Sequence, residues 1–379
     1  MRTYKVIIGS RRYFENSLTD EELHYNSFLE QVRIVDAVKS KPELLDSLRM
    51  ENLRVENNHY QGIVEEAHGR LGSLIEDMTT ENATIVVHNP TRVLHLFLQQ
   101  KYNRGEIYYS EDKEQLPKLQ DGEELRKSLE NIKQHIIGQD EALAEIVKSI
   151  WYIANSSLSS PYVIMLYGES SIGKTETVRE ISKAFFDDKC LEEHLSMYHG
   201  LEYAEFLFGS KPNRRSLGFE LFERESNLLF LDEFDKCPEY CLSAFYTLFD
   251  NTVFKDASYD VDISNLLIVL TSNFRTEDEI KRSLGDPIFY RINKLVHYAP
   301  LSKNAIHEIA IKNCKEVSEE LGGAVSCEAL YSDASRLIST SGENGRTIRM
   351  KIEGIAEERL LEKLEINSPA TNPTSQRDA

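Results

Sequence analysis

The chain has 379 residues, too many for one compact core and enough for roughly two or three domains. Hydrophobic residues make up 41% of it, which supports a packed interior, and a formal net charge of −19 sets most of the surface against phosphate backbones, which argues against nucleic acid as a bulk partner while leaving contact by a local basic loop open. Five cysteines without framework spacing, no run near the ~18 apolar residues of a membrane span, and only Val6-Ile7-Ile8 after Arg2 and Lys5 point to a cytoplasmic protein.

Residues 1–109 have an α/β character of their own. Lys5-Val6-Ile7-Ile8, Thr84-Ile85-Val86-Val87 and Glu106-Ile107-Tyr108-Tyr109 read as strands. Between the last two, Asn89-Pro90-Thr91 starts a helix with Val93, Leu94, Phe97 and Leu98 on one face, and Gly105 follows its end. Gly9-Ser10-Arg11-Arg12 reads as a turn with solvated arginines rather than an anion site. Residues 110–134 suit a linker: Ser110 to Gly122 is polar and holds Pro117, and Leu125, Leu129 and Ile132 then mark a short amphipathic helix.

The central motif follows the apolar strand Tyr162–Tyr167. Gly168-Glu169-Ser170-Ser171-Ile172-Gly173-Lys174-Thr175 is the phosphate-binding pattern G-x-x-x-x-G-K-[ST]. Glycines let backbone N–H groups face a polyphosphate, Lys174 reaches its outer phosphates, and the Thr175 hydroxyl sits on Mg²⁺. Glu176 follows, and Val178, Ile181 and Phe185 give a helix one apolar face, with its amino terminus on the phosphates. Further on, Asn227–Leu231 is a buried-strand run that ends in Asp232 and Glu233. Asp232 is expected to hold Mg²⁺ and Glu233 to polarise the attacking water. A third run, Leu266–Leu270, leads to Asn273, a neutral amide at the sheet edge where a doubly wound fold takes its ligand. Cys237 and Cys241 read as packing, since Pro238 intervenes and no second ligand pair is near. Leu295–Tyr298 is another short apolar stretch. Ile306, Ile309, Ala310, Cys314, Val317 and Leu321 trace a helix face ended by Gly322-Gly323, and Ile348, Ile352, Ile355 and Leu360 mark the last helix. Residues 367–379, rich in Ser, Thr, Pro and Asn, read as a disordered tail.

From His135 to about Leu364 the order and spacing resemble the AAA+ ATPases of the Clp unfoldase and disaggregase group. The resemblance implies an α/β fold: a P-loop NTPase with a doubly wound parallel sheet over residues 135–300 and a small helical lid over 301–366, preceded here by the small α/β domain. It implies that Ile136 and Ile137 flank the adenine, that Asn273 is the sensor-1 amide, that Arg291 is the arginine finger given to the neighbouring subunit, and that Arg346 is the sensor-2 arginine of the lid. ATP and Mg²⁺ are the implied cofactors, and a hexameric ring acting on a protein partner the implied assembly. Three features depart from the group. Ser171 replaces a usual loop glycine, and only one ATPase module is present. The segment Gly209–Ser216, in the place of the substrate-gripping pore loop, is short, lacks an aromatic residue and carries Lys211, Arg214 and Arg215. The expectation is an ATP-hydrolysing ring protein that remodels a partner recruited by residues 1–109. A nucleotide-controlled assembly switch without threading is the alternative, and a nucleic-acid motor a weaker one.

Overall fold

Two runs of Val, Ile and Leu strands separated by helices build two parallel sheets, as alternating strand and helix patterns do when crossovers cover both faces. The computed structural model describes residues 1–38, 46–197, 200–339 and 341–366. The tail expected at 367–379 lies outside the described residues.

The amino-terminal part comprises β1 (Thr3–Ile8), α1 (Arg11–Asn16), β2 (Asn26–Ser27), α2 (Phe28–Val38), β3 (Met50–Val55), α3 (Leu71–Met78), β4 (Thr79–His88), α4 (Arg92–Asn103) and β5 (Tyr108–Lys113). Its five-stranded sheet has the order β2-β3-β4-β1-β5, every pairing parallel. Tyr4, Val6, Leu53, Val55, Ile85 and Val87 are fully buried in its core. Three differences from the sequence reading have local causes. The last strand begins at Tyr108 rather than Glu106 and continues through Lys113 into the stretch expected to be linker, because its backbone pairs with β1 along Thr3–Ile8 although most of its side chains are exposed. Val93 is exposed, since the buried stripe of α4 runs through Leu94 and Leu98. β3 escaped notice because its buried Leu53 and Val55 alternate with Glu51, Asn52 and Arg54.

The chain then forms α5 (Glu123–His135), with Leu125 and Ile132 buried, and α6 (Asp140–Ala154). β6 (Tyr162–Gly168), α7 (Lys174–Phe185), β7 (Leu191–His194), α8 (Leu201–Phe208), α9 (Leu217–Glu223), β8 (Leu228–Asp232) and α10 (Leu242–Asp250) follow. A two-stranded antiparallel hairpin, β9 (Val253–Lys255) with β10 (Asp260–Asp262), precedes β11 (Leu267–Ser272), α11 (Glu277–Phe289) and β12 (Lys294–Tyr298). The second five-stranded sheet has the order β12-β6-β11-β8-β7 and is also parallel throughout. Strand β6, between β12 and β11, serves both faces: Val163, Met165 and Tyr167 pack on one side, Ile164 and Leu166 on the other.

The lid consists of α12 (Lys303–Glu320), α13 (Cys327–Leu337) and α14 (Gly345–Ile366). α12 stops where Gly322 and Gly323 take φ of 59° and 76°, a left-handed exit that costs a glycine little. Cys314, Val317, Ile348 and Ile352 join the apolar cluster that includes Ile164 and Leu166, so the lid and one sheet face share a core.

Candidate active site

At the end of β6 the backbone turns through Gly168, with φ of 144°, where a Cβ would lie 2.4 Å from the Tyr298 carbonyl oxygen. No other residue fits so close to backbone. The loop reverses again at Ser171, φ 60°, and Gly173, φ 108°, before α7 begins at Lys174. A serine in that left-handed position costs roughly 1–2 kcal/mol relative to glycine, which is the physical content of the departure at Ser171.

Lys174 is buried, and its Nζ donates to the backbone oxygens of Gly168, at 2.8 Å, and Glu169. Burial pulls its pKa down to about 8, against the opposing pull of Asp235, Asp232 and Glu169. The next turn of α7 is tied to the sheet by Thr177, whose hydroxyl donates to the Gly173 carbonyl at 2.9 Å and accepts from the Tyr298 hydroxyl at 2.8 Å.

Asp232 ends β8 beside this loop. Its Oδ1 accepts from the Thr271 hydroxyl and from the Glu233 N–H at 3.1 Å, and its Oδ2 lies 3.3 Å from His194 Nδ1. Glu233 takes φ 56° and ψ 46°, an unfavourable conformation for a residue with a side chain, held by N–H bonds to Asp232 and to Thr271 Oγ1. Strain of this kind is retained where the surrounding structure over-determines it, commonly at functional sites. Asn273 sits one strand over, its N–H bonded to Asp235 Oδ1 at 3.2 Å.

These residues face one cleft of roughly 630 Å³. It is lined by Ile136 and Ile137 from the segment after α5, by Ser170 through Glu176, by Asp232, Glu233 and Asn273, and by Arg346 from the lid. Gly168 and Glu169 lie beneath it as the acceptors for Lys174, while the Glu169 carboxylate points to Arg275, 3.6 Å away. Gln139 fixes the opening segment by donating to the carbonyls of Ile172 and Ala299, and Gly345 N–H reaches the Ser171 carbonyl at 2.9 Å. Arg291 does not line the cleft. Its Nε donates to Asp250 Oδ2 at 2.6 Å, its Nη1 to the Pro287 carbonyl at 2.7 Å, and its guanidinium lies 5.0 Å from the Tyr246 ring centroid.

Sequence reasoning missed His194, Thr271 and Asp235, and the α12 residues Lys312, Asn313 and Glu316 on the lid wall. His194 has no local signal; it is brought opposite Asp232 only by the β7–β8 register. Thr271 was legible in principle, since it precedes Asn273 on the same strand end. A left-handed glycine loop, a buried ammonium and a carboxylate–hydroxyl pair form a donor set that fits a nucleotide polyphosphate, with Thr175 and Asp232 as the groups to hold Mg²⁺. Among the described residues, no cluster of three or more His, Cys, Asp or Glu side chains could hold a metal ion, and the described cysteines are free thiols, Cys241 buried. The basic segment Gly209–Ser216 is balanced within the chain: Lys211 and Arg214 pair with Glu205, and Arg215 lies 3.3 Å from Glu220. No described helix is long and apolar enough to cross a membrane.

Residues 160–321 match the family described as AAA domain (Cdc48 subfamily). The chain is similar to the AAA+ ATPase ClpV1 of Pseudomonas aeruginosa, 31% identical over 39% of this chain and 18% of that protein. It is similar also to the chaperone protein ClpB of Rhodopseudomonas palustris, 24% identical over 88% of this chain and 39% of that protein. The ATP-binding subunit ClpE of the Clp protease of Lactococcus lactis is 26% identical over 51% of this chain and 30% of its own length. The chain thus spans between 18% and 39% of these relatives. Among solved structures, a closed-state cryo-EM reconstruction of Hsp104 with ATPyS and FITC casein shares the fold, with a TM-score of 0.54 at 15% identity over 90% of this chain and 64% of that one. Residues 160–321, which hold the phosphate loop and the paired carboxylates of this cleft, thus match an AAA domain, and the chain around them is similar to Clp-type proteins.

Proposed function

We propose that this chain binds ATP in the cleft, hydrolyses it, and uses the cycle within a ring, hexameric by the resemblance, to remodel a protein partner recruited by residues 1–109 in a reducing, cytoplasmic compartment. The observation that carries the reading is the convergence on one cleft of a buried Lys174, the Asp232–Thr271 pair and a strained Glu233. Lys174 and the backbone N–H groups of the Gly168–Gly173 loop bind and orient the polyphosphate. Mg²⁺ held by Thr175 and Asp232 would neutralise charge on its oxygens. Glu233 orients a water and accepts its proton, and Asn273, on the cleft wall, holds that water or the outermost phosphate. Arg346 supplies positive charge from the lid, so lid position and hydrolysis are linked. Arg291 does not line its own subunit's cleft, which supports a role as a finger on a neighbour, and head-to-tail contacts of that type close into rings.

A second reading is a nucleotide-controlled assembly switch without polypeptide threading. It is favoured by the Gly209–Ser216 segment, which has no aromatic residue to grip a moving chain and whose basic side chains already pair with Glu205 and Glu220. Two variants test the core of the proposal. Lys174→Ala should lose nucleotide binding, whereas Glu233→Gln should retain ATP and hydrolyse it at least about a hundredfold more slowly. Unchanged turnover in Glu233→Gln would remove the assignment of that residue as base. A pull-down with ATP-loaded Glu233→Gln protein should enrich the partner.

A further inference from the structure

The carboxyl edge of the amino-terminal sheet is where a doubly wound fold presents its loops to a ligand. Here it holds a side chain of the ATPase module. Glu223, at the end of α9, puts its carboxylate between the loops after β1, β3 and β4. It accepts from Asn57 Nδ2 at 2.8 Å, from Asn89 Nδ2 at 3.4 Å and from the Arg11 backbone N–H, and its Oε1 lies 3.9 Å from His88 Nδ1. Burial holds the Glu223 pKa up, and these donors draw it back. Both amides are locked by further bonds. Asn57 Oδ1 accepts from the Tyr259 hydroxyl at 3.0 Å, and Asn89 exchanges hydrogen bonds with the backbone of Gly9, each 2.9 Å. His88 is stacked on Phe14 and bonded to the Gly9 carbonyl, and burial lowers its pKa to about 4, so it packs as a neutral ring.

A second grip lies on the hairpin turn. Arg92, at the start of α4, donates its backbone N–H to the Ser258 carbonyl at 2.7 Å, and its guanidinium to the carbonyls of Asp256 at 2.6 Å and Tyr259 at 2.9 Å and to the Asp260 carboxylate. The hairpin turn, through Asp256 and Ala257, in turn fixes both ends of the Gly209–Ser216 loop. Asp256 Oδ2 accepts from the Ser216 hydroxyl at 2.6 Å and the Gly218 N–H at 3.2 Å, and the Ala257 N–H bonds to the Phe208 carbonyl at 2.9 Å. A Cβ on Gly209 or Gly218 would stand 2.7 or 2.3 Å from the Asp256 carboxyl group, so the packing admits only glycine at both ends.

We propose that the amino-terminal sheet edge is a carboxylate-binding site whose ligand is Glu223 of the same chain, and that with the Arg92 grip it fixes the anchors of the Gly209–Ser216 loop, so that a partner bound to residues 1–109 acts on that loop by direct contact. The last clause rests on the recruitment role given above to residues 1–109; the site and its hold on the loop do not. Asp256 is bonded directly to Arg92 of the amino-terminal domain through its carbonyl and to Ser216 and Gly218 through its carboxylate, and buried polar contacts of this kind transmit displacement because their alternatives leave polar groups unpaired. The loop is therefore held by the domain that precedes the ATPase module as well as by the module itself.

Hydrogen exchange read by mass spectrometry on the full chain, with neither ATP nor partner, tests this. In Asn57→Ala/Asn89→Ala, and separately in Arg92→Ala, amides in 205–224 and 253–262 should exchange at least about tenfold faster while 162–176 and 228–233 keep their protection. Should the double variant fail to fold, Glu223→Gln removes the charge from the other side of the contact with little change in shape and should give the same pattern. Wild-type exchange in 205–224 in folded Arg92→Ala and Glu223→Gln overturns the proposal, and so does a loss of protection spread evenly over the ATP cleft. Exchange requires no hydrolysis, so failure here and failure of the Lys174 and Glu233 tests are separate results.

Discussion

Lys174 shows how one side chain ties the fold to the chemistry. With its pKa lowered to about 8 by burial, it loses its proton above that pH, whereas an unfolded chain would hold the proton until about 10.5. Between those limits the unfolded state binds more protons, so stability of the nucleotide-free protein rises with pH across that window. A polyphosphate favours the charged ammonium. Nucleotide binding should therefore take up protons near pH 8 to 9, with affinity falling by up to about tenfold per pH unit above 8. Calorimetry in buffers of different ionisation enthalpy measures the uptake; the same uptake from any residual binding in Lys174→Ala would assign it to another group. Lys174 was legible in sequence because its motif is contiguous. Its low pKa was not, because that depends on the folded chain burying the ammonium, against the pull of Asp235, Asp232 and Glu169.

At the scale of elements, α11 explains where Arg291 points. The helix breaks at Gly285, with φ of 74°, just before Pro287, and the short turn that follows delivers Arg291 to Asp250, to the Pro287 carbonyl and to the face of Tyr246. Asp250 ends α10, where a carboxylate is disfavoured by the helix dipole, and the Arg291 guanidinium offsets that cost. On the finger role proposed for Arg291, Arg291→Ala should leave ATP binding intact and reduce hydrolysis on the order of a thousandfold. Activity should return in part when it is co-assembled with Lys174→Ala subunits; no recovery despite confirmed co-assembly would argue against action on a neighbour. Asp250→Ala should lower turnover less, about tenfold, with KM unchanged, since the carbonyl and ring contacts remain. An equal loss of nucleotide affinity would mean that Asp250 supports the fold rather than the finger.

For the whole molecule, two parallel sheets, a shared lid core and a polar joint between domains place the Gly209–Ser216 loop under the hold of both sheets. The loop is short, has no aromatic residue, and its Arg214 and Arg215 are engaged by Glu205 and Glu220, so no processive unfolding of a stably folded substrate is expected. A fluorescent barrel protein fused to the recruited element, with ATP and a trap against refolding, should keep its fluorescence; loss that depends on Glu233 would mean that chain is threaded after all. Sequence by itself determined the parts whose chemistry is local. The loop Gly168–Thr175 and the pair Asp232–Glu233 need particular residues at fixed spacing, and the helices of the lid announce themselves by one apolar face, so each could be read in place. Only the tertiary structure decided which residues far apart along the chain meet. His194 reaches Asp232 through strand register, β5 continues from Tyr109 through Lys113 by backbone pairing without any apolar signal, and Glu223 enters the amino-terminal sheet edge through Asn57 and Asn89. Hydrogen bonds between distant polar side chains leave no periodicity in a sequence, because any exposed turn tolerates the same Asn, His and Glu until folding removes the water around them.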